Sequence, residues 1–158
     1  ILVGGRIKRF KLDEAVGRDL PSITCYRSRI GQVVTNLLAN AGDALAEHRE
    51  EAKARGEDFA GKLRVVTEEH QHSGVAGVRV VVADNGPGVP EAIREQIFEE
   101  FFTTKPAGSG TGLGLSMCLS IVKDHNGVLS VHTDDELGGA RFELWLPLRP
   151  AEGGDARV

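Results

Sequence analysis

A valine-rich run that ends in one carboxylate and a glycine-rich turn restricts this sequence most strongly. The run Val78–Val82 is rich in β-branched residues, which predicts a largely buried strand. Asp84 stands at the end of this strand, and the turn Asn85-Gly86-Pro87-Gly88 follows at once. A carboxylate in this position can accept a hydrogen bond from an exocyclic amine, while Gly86 and Gly88 let a flat ring approach the backbone. Taken alone, the pattern also fits an ordinary surface turn, so the rest of the chain decides its interpretation.

Composition favours a single globular domain, since 41% of the 158 residues are hydrophobic and 27% are charged. The net charge is −4 and the basic residues are scattered, which argues against nucleic-acid binding and against contact with an anionic membrane. The run Ile1-Leu2-Val3 is too short for a signal peptide or a spanning helix. Because the first residue is Ile, the chain is expected to be part of a longer protein. Cys25 and Cys118 are far apart and are predicted to be free thiols.

The chain is expected to have three parts. Residues 1–20 are predicted to be a linker or the tail of a preceding element, with a helix-like piece at Lys11–Val16. Residues 21–149 are predicted to form the domain, and 150–158 a polar tail. Strands are expected at 21–26, 63–68, 78–82, 128–132 and 141–146. Helices are expected at 28–55, from 90 to 97, and from 115 to 125.

The helix predicted at 28–55 has two different faces. Apolar residues recur at spacings of three and four, which predicts that one face packs on a sheet. A neighbouring face carries Gln32, Asn36, Asn40, Asp43 and Glu47. Such a stripe is normally a solvated surface, but two asparagines in mid-helix need a reason, because Asn is a mediocre helix former. An amide oxygen is a hard neutral ligand that suits Mg²⁺.

A second glycine-rich segment precedes the last predicted helix. Between Lys105 and Leu115 glycine, proline and small hydroxyl residues predominate, which predicts a mobile lid. The segment leads directly into an apolar helix, whose free N–H groups and dipole would form a seat for phosphate. Lys105 could reach over that seat as a point charge. His125 is interpreted as a helix cap, and His70 and His72 as solvated hairpin residues rather than a metal pair.

Four motifs in this order resemble those of the GHKL superfamily, and most closely the catalytic, ATP-binding domain of bacterial sensor histidine kinases. They are similar to the N box (Asn36–Ala41), the first glycine box (Asp84–Gly88), the F box (Phe98 to Phe102) and the second glycine box (110–115). The similarity extends from about Pro21 to Pro147. It implies a two-layer α/β sandwich, the Bergerat ATP-binding fold, with a mixed, mostly antiparallel sheet against helices.

The resemblance also implies roles for residues, with ATP and Mg²⁺ as cofactors. Asp84 would hold the adenine amine, Gly86 and Gly88 would lie along the base, Asn40 would bind Mg²⁺, and Asn36 would assist near the phosphates. Catalytic roles are expected for Asn36, Asn40 and Lys105. The remaining nucleotide-contacting positions are Asp43, Phe101, Gly110, Thr111, Gly112, Leu113 and Gly114. Two positions depart from the family pattern: Asp43 stands where many members carry a basic residue, and Ala140-Arg141 where many have threonines.

The expected activity is transfer of the ATP γ-phosphoryl group to a histidine. Such transfer needs positioning and charge neutralisation more than covalent help. The five histidines lack a phosphoacceptor-like context, His48 being the nearest, so the acceptor is expected on an upstream dimerisation domain. A response regulator receiver domain would take the phosphate onward. This fragment is expected to be monomeric and cytoplasmic, without membrane contact, and the parent protein a homodimer that an upstream segment could anchor in a membrane.

Two alternatives stay open. One is a GHKL ATPase, which uses an acidic residue at the start of the N box as general base for water. That position is Asn36 here, and an amide cannot take the proton, which favours a kinase and also disfavours a serine-phosphorylating branch. The other is a module that senses ATP or docks partners without transferring phosphate.

Overall fold

A computed structural model describes residues 10–17, 19–104 and 111–148. In this part of the chain five strands form one sheet in the order β1-β2-β3-β5-β4. The strands are β1 (Lys11–Val16), β2 (Lys62–His72), β3 (Val75–Asp84), β4 (Val128–Thr133) and β5 (Ala140–Pro147). β1 runs parallel to β2, and the other neighbouring pairs are antiparallel. The expected mixed, mostly antiparallel sheet is therefore confirmed.

Two helices, α1 (Arg27–Ala54) and α2 (Gly114–Asp124), pack against the sheet. α1 buries Val33, Leu37, Ala41 and Leu45, whose spacing of four places them on one face, as the periodicity predicts. They pack in one core with Cys118 and Val122 of α2 and with sheet residues such as Val82, Phe142 and Leu144. The sandwich has two layers, which places the site-forming turns at the edge between helices and sheet.

The prediction for the first 26 residues was wrong in two respects. Lys11–Val16 is a strand rather than a helix-like piece, and residues 21–26 contain no strand. β1 pairs through its backbone with β2, but all six of its side chains are exposed. Its side chains therefore do not alternate between buried and exposed positions, and its strand conformation depends on the pairing with β2. The domain boundaries at 21 and 149 stay a prediction, and the tail 150–158 lies outside the described residues.

The remaining elements lie where they were predicted, but β2 and β3 are longer than expected, so His70 and His72 lie in β2 rather than in the hairpin turn. The β2–β3 turn has positive φ at Ser73 and Gly74, which matches the twist of a two-residue hairpin. The short helix expected from residue 90 to 97 consists of two 3₁₀ turns, Glu91–Ile93 and Gln96–Phe98. Both cysteines are free thiols, as predicted, and Cys118 is fully buried. Among the described residues no helix is long and apolar enough to cross a membrane.

Candidate functional site

The carboxylate of Asp84 lies at the end of β3 and is 2% exposed. Its Oδ1 accepts hydrogen bonds from the Gly86 N–H at 2.8 Å and the Ala140 N–H at 3.3 Å. These two bonds hold the carboxylate between the β3 turn and the start of β5. Within the described chain no donor reaches Oδ2, so this oxygen is available to a ligand.

Burial raises the pKa of the Asp84 carboxyl above its ordinary value, since the charged form loses hydration. The N–H groups of Gly86 and Ala140 act in the opposite direction, and the negative charge of Asp134 raises the pKa further. Oδ2 is not among the buried side-chain atoms that lack a partner in the described chain, so it keeps some contact with solvent. A largely buried carboxyl with a raised pKa marks a candidate functional site.

Three glycines let other backbone segments approach Asp84. A Cβ on Gly86 would lie 3.0 Å from Asp84 Oδ1. A Cβ on Gly139 would lie 2.6 Å from the same oxygen and 2.7 Å from Gly86 N. Gly88 has φ +73°, a conformation that favours glycine, and it lies against the backbone of Gly139. Side chains at these positions would fill the space beside the carboxylate.

The side chain of Asn85, in contrast, has a structural role. Its Oδ1 accepts from the Lys62 N–H at 2.6 Å, and its Nδ2 donates to the Ala60 carbonyl oxygen at 3.0 Å. These bonds tether the glycine turn to the start of β2. The turn is therefore fixed in place before any ligand arrives.

A cavity of about 380 Å³ begins at Gly88. Its walls are mostly apolar and come from the turn, both 3₁₀ segments, the F box and the start of α2. They include Gly88, Val89, Ile93, Ile97, Phe102 and Leu115. Asp84 does not line this cavity, but Gly88, in the turn that follows Asp84, does. An apolar cleft that begins in this turn suits a flat heteroaromatic ring.

The predicted amide stripe of α1 faces the gap toward α2. Asn36 Nδ2 donates to Cys118 Sγ at 3.5 Å, and Gln32 Nε2 donates to Met117 Sδ at 3.4 Å. Asn40 lies one turn beyond Asn36, is half-buried, and makes no side-chain hydrogen bond to any residue that the structure describes. Asp43 is half-buried on the following turn. Burial also raises the pKa of the Cys118 thiol, while the Asn36 amide lowers it.

The second glycine box is described only in part, since Lys105 and Gly110 lie outside the described residues. The Phe101 N–H donates to the Gly112 carbonyl oxygen at 3.0 Å, and this bond connects the F box to the second glycine box. Gly112 has φ +64°, and a Cβ there would lie 2.7 Å from Phe101 Cα. Phe101 also has φ +64° and is 71% exposed. Thr111 and Leu113 are exposed, and α2 begins at Gly114.

Two contributors to the Asp84 cluster, Gly139 and the Ala140 N–H, were not predicted from the sequence. The glycine pair at 138–139 was the available pattern, but nothing local says that it meets a turn more than fifty residues earlier. The capping role of His125 is confirmed: its Nδ1 lies 2.7 Å from the Ile121 carbonyl oxygen, and its Nε2 accepts the Tyr26 N–H at 3.0 Å.

Comparison with known proteins identifies the family. A family model described as "Histidine kinase-, DNA gyrase B-, and HSP90-like ATPase" matches residues 25–150. Sensor kinase CckA of Brucella abortus is 38% identical over 150 residues, covering 92% of this chain and 15% of that protein. Sensor histidine kinase ZraS of Escherichia coli O157:H7 is 40% identical over 129 residues, covering 82% of this chain and 24% of that protein. The chain thus spans less than a quarter of the length of these two relatives.

Solved structures agree with the sequence comparisons. The catalytic domain of histidine kinase ThkA superposes with a TM-score of 0.73 at 30% identity, covering 94% of this chain and 88% of that domain. Full-length ShkA in complex with AMPPNP superposes with a TM-score of 0.70 at 29% identity, covering 96% of this chain and 29% of ShkA. The chain therefore belongs to the histidine kinase-, DNA gyrase B- and HSP90-like ATPase family, and within it to the ATP-binding catalytic domains of sensor histidine kinases.

Proposed function

We propose that Asp84 recognises the adenine of ATP and that the domain transfers the γ-phosphoryl group to a histidine outside this chain. The observation that carries the proposal is the buried Asp84 carboxylate, whose Oδ2 is free of described donors beside an apolar cavity. The exocyclic amine of adenine would donate to Oδ2, and Gly86 and Gly88 would leave room for the ring. The AMPPNP complex of ShkA supports a nucleotide ligand for this fold.

The position of Asn36 supports phosphoryl transfer over hydrolysis. Hydrolysis needs a base that takes a proton from water, and an amide cannot do so. Asn36 also donates to Cys118 Sγ, which directs its NH₂ group toward α2. A neutral imidazole acceptor needs no such base, because its ring nitrogen attacks directly.

The residues present fit a Mg²⁺ ion at Asn40. This amide is half-buried and makes no hydrogen bond to the described residues, so its oxygen is available as a hard ligand. Asn40 would hold the ion, and Mg²⁺ bound there would offset the negative charge of the phosphates. Asn40 would orient the phosphates, and Thr111 to Gly114 would supply backbone N–H groups at the start of α2. Roles for Asp43, Phe101, Lys105 and Gly110 stay predictions from the sequence.

The partners follow from the same proposal. The acceptor histidine would lie on a dimerisation domain upstream of this chain, and a response regulator would receive the phosphate. We propose that this chain is a monomer in a homodimeric, cytoplasmically facing parent. Equilibrium sedimentation at micromolar concentration tests the first point, and a dimer would contradict it.

Calorimetric titration with ADP, with and without Mg²⁺, tests the ligand assignment. Asp84→Asn should weaken binding by about 30-fold or more in both conditions, whereas Asn40→Ala should remove only the gain from Mg²⁺. Transfer of labelled phosphate from ATP to the parent's upstream domain, supplied separately, tests the activity. Binding without acid-labile, base-stable phosphate on that domain would replace the kinase proposal with an ATP-sensing module. Binding that is indifferent to Asp84 would refute the site.

A further inference from the structure

A second buried carboxylate, Asp134, lies in the turn between β4 and β5 and is 1% exposed. Its Oδ1 accepts the N–H groups of Glu136 at 3.1 Å and Leu137 at 2.8 Å. Its Oδ2 lies 2.7 Å from Nη2 of Arg64 on β2. A carboxylate so far from water needs these partners, since loss of hydration is costly. Asp134 therefore fixes the shape of the turn and attaches it to β2.

The same turn delivers two of the groups that surround Asp84. The Asp134 N–H donates to the Gly139 carbonyl oxygen at 2.9 Å, and the Gly138 N–H donates to the Asp134 carbonyl oxygen at 2.8 Å. Gly139 lies against the Asp84 carboxylate, and the Ala140 N–H donates to Asp84 Oδ1. A shift of Asp134 would consequently move the contacts of Asp84.

Charge gives a second link between the two carboxylates. The titratable or charged groups on the elements around Asp84 are Asp43 and His48 on α1, Lys62 and Arg64 on β2, Asp134 and Glu136 in the turn, and Arg141 on β5. Arg64 pairs with Asp134 and Glu136, and Arg141 pairs with Glu143. Burial has the largest effect on the pKa of Asp84 and raises it, the Gly86 and Ala140 N–H groups lower it, and the charge of Asp134 raises it by a smaller amount than these.

We propose that Asp134, braced by Arg64, is a positioning residue for adenine recognition that acts through Asp84. It holds Gly139 and the Ala140 N–H against that carboxylate, and its charge raises the acid limit, the pH below which nucleotide binding fails. The inference rests on the proposed function, because it assigns Asp84 Oδ2 to the adenine amine.

Two substitutions of Asp134 separate the hydrogen bonds within the turn from the charge and its pairing with Arg64. Asp134→Asn keeps an Oδ1 acceptor for the Glu136 and Leu137 N–H groups, but it removes the negative charge and turns an NH₂ group toward Arg64 Nη2. Without that charge, Asp84 stays ionised to lower pH, so ADP binding should persist to lower pH while affinity at pH 8 changes little. Asp134→Ala removes the acceptors as well. It should weaken ADP at pH 8 by about tenfold or more, in line with the loss of a hydrogen bond to a charged group.

A comparison of two nucleotides shows whether Asp134 affects nucleotide binding through Asp84. Purine riboside 5′-diphosphate lacks the amine that Asp84 would bind, so Asp134→Ala should weaken ADP more than this analogue. Glu136→Gln is the matched control, because Glu136 contacts the same Arg64 with a side chain that is 77% exposed. It should leave both affinities and the acid limit unchanged. Protonation of the nucleotide is common to all variants and cancels in the comparison.

Each failure has a distinct meaning. Calorimetry at a series of pH values gives the acid limit of each variant. The series starts at pH 8 and ends at the lowest pH at which circular dichroism shows a folded chain. An acid limit of Asp134→Asn equal to that of the wild type would overturn the inference. Equal weakening of both nucleotides by Asp134→Ala would also do so, since Asp134 would then be only a structural brace. If Asp84→Asn bound ADP as tightly as the wild type, the proposed function itself would fail.

Discussion

Asp84→Asn should lower the affinity for ADP and, at the same time, raise the thermal stability of the domain. Asn keeps an Oδ1 acceptor for the Gly86 and Ala140 N–H groups but puts an NH₂ group where Oδ2 stood. Two amines would then face each other in the complex. The lost hydrogen bond to a charged acceptor and the unpaired donor together cost about 2–4 kcal/mol. ADP affinity should therefore fall by about 30-fold to about 1,000-fold.

The free domain should become more stable in the same variant. Burial raises the folded-state pKa of Asp84 above its unfolded value. The protonated form is thus favoured in the folded state, and its contribution to stability is full below the unfolded pKa and is lost as pH rises through the folded pKa. At pH 7.5 the charged Asp84 destabilises the fold, and Asn removes that charge. Each 1 kcal/mol gained would raise Tm by about 2–4 °C.

Thermal unfolding at pH 7.5 and at pH 5, beside calorimetry, checks both halves. The gain from Asp84→Asn should be smaller at the lower pH, because the raised pKa of the wild-type carboxyl favours its protonation increasingly as pH falls. Asp135→Asn, an exposed carboxylate in the neighbouring turn, is the control and should change neither quantity. A lower Tm at pH 7.5 together with unchanged ADP affinity would refute the reasoning.

Glycine substitutions give three further expectations. Gly139→Ala should lower the free energy of unfolding in urea by about 1–3 kcal/mol and should also abolish ADP binding, since its Cβ would lie 2.6 Å from Asp84 Oδ1. Gly31 lies in helix α1, and a Cβ there would meet no neighbouring element within 4 Å. Gly31→Ala should therefore stabilise the chain by about 0.5–1 kcal/mol. Gly112→Ala should weaken ATP more than adenosine in calorimetry, because the strained backbone (φ +64°) and the contact with Phe101 concern the proposed phosphate end. Equal loss for both ligands would contradict that assignment.

The sequence predicted most of the elements because their patterns are local. The apolar spacing of α1 and the β-branched run of β3 each report which face is buried, and both were confirmed. β1 was missed for the opposite reason. Its six side chains are exposed, so its residues carry no record of the parallel pairing with β2 that makes them a strand.

The sequence by itself determined which chemical groups this protein has available. A carboxylate at a strand end, two glycines after it and asparagines one turn apart in a helix are readable because each depends on short-range spacing. Only the tertiary structure decided how they meet. The β4–β5 turn comes to Asp84 through the pairing of β5 with β3, and it supplies Gly139, the Ala140 N–H and the charge of Asp134. Burial at that junction raises the pKa of Asp84, and burial depends on the packing of distant segments, which no local pattern encodes.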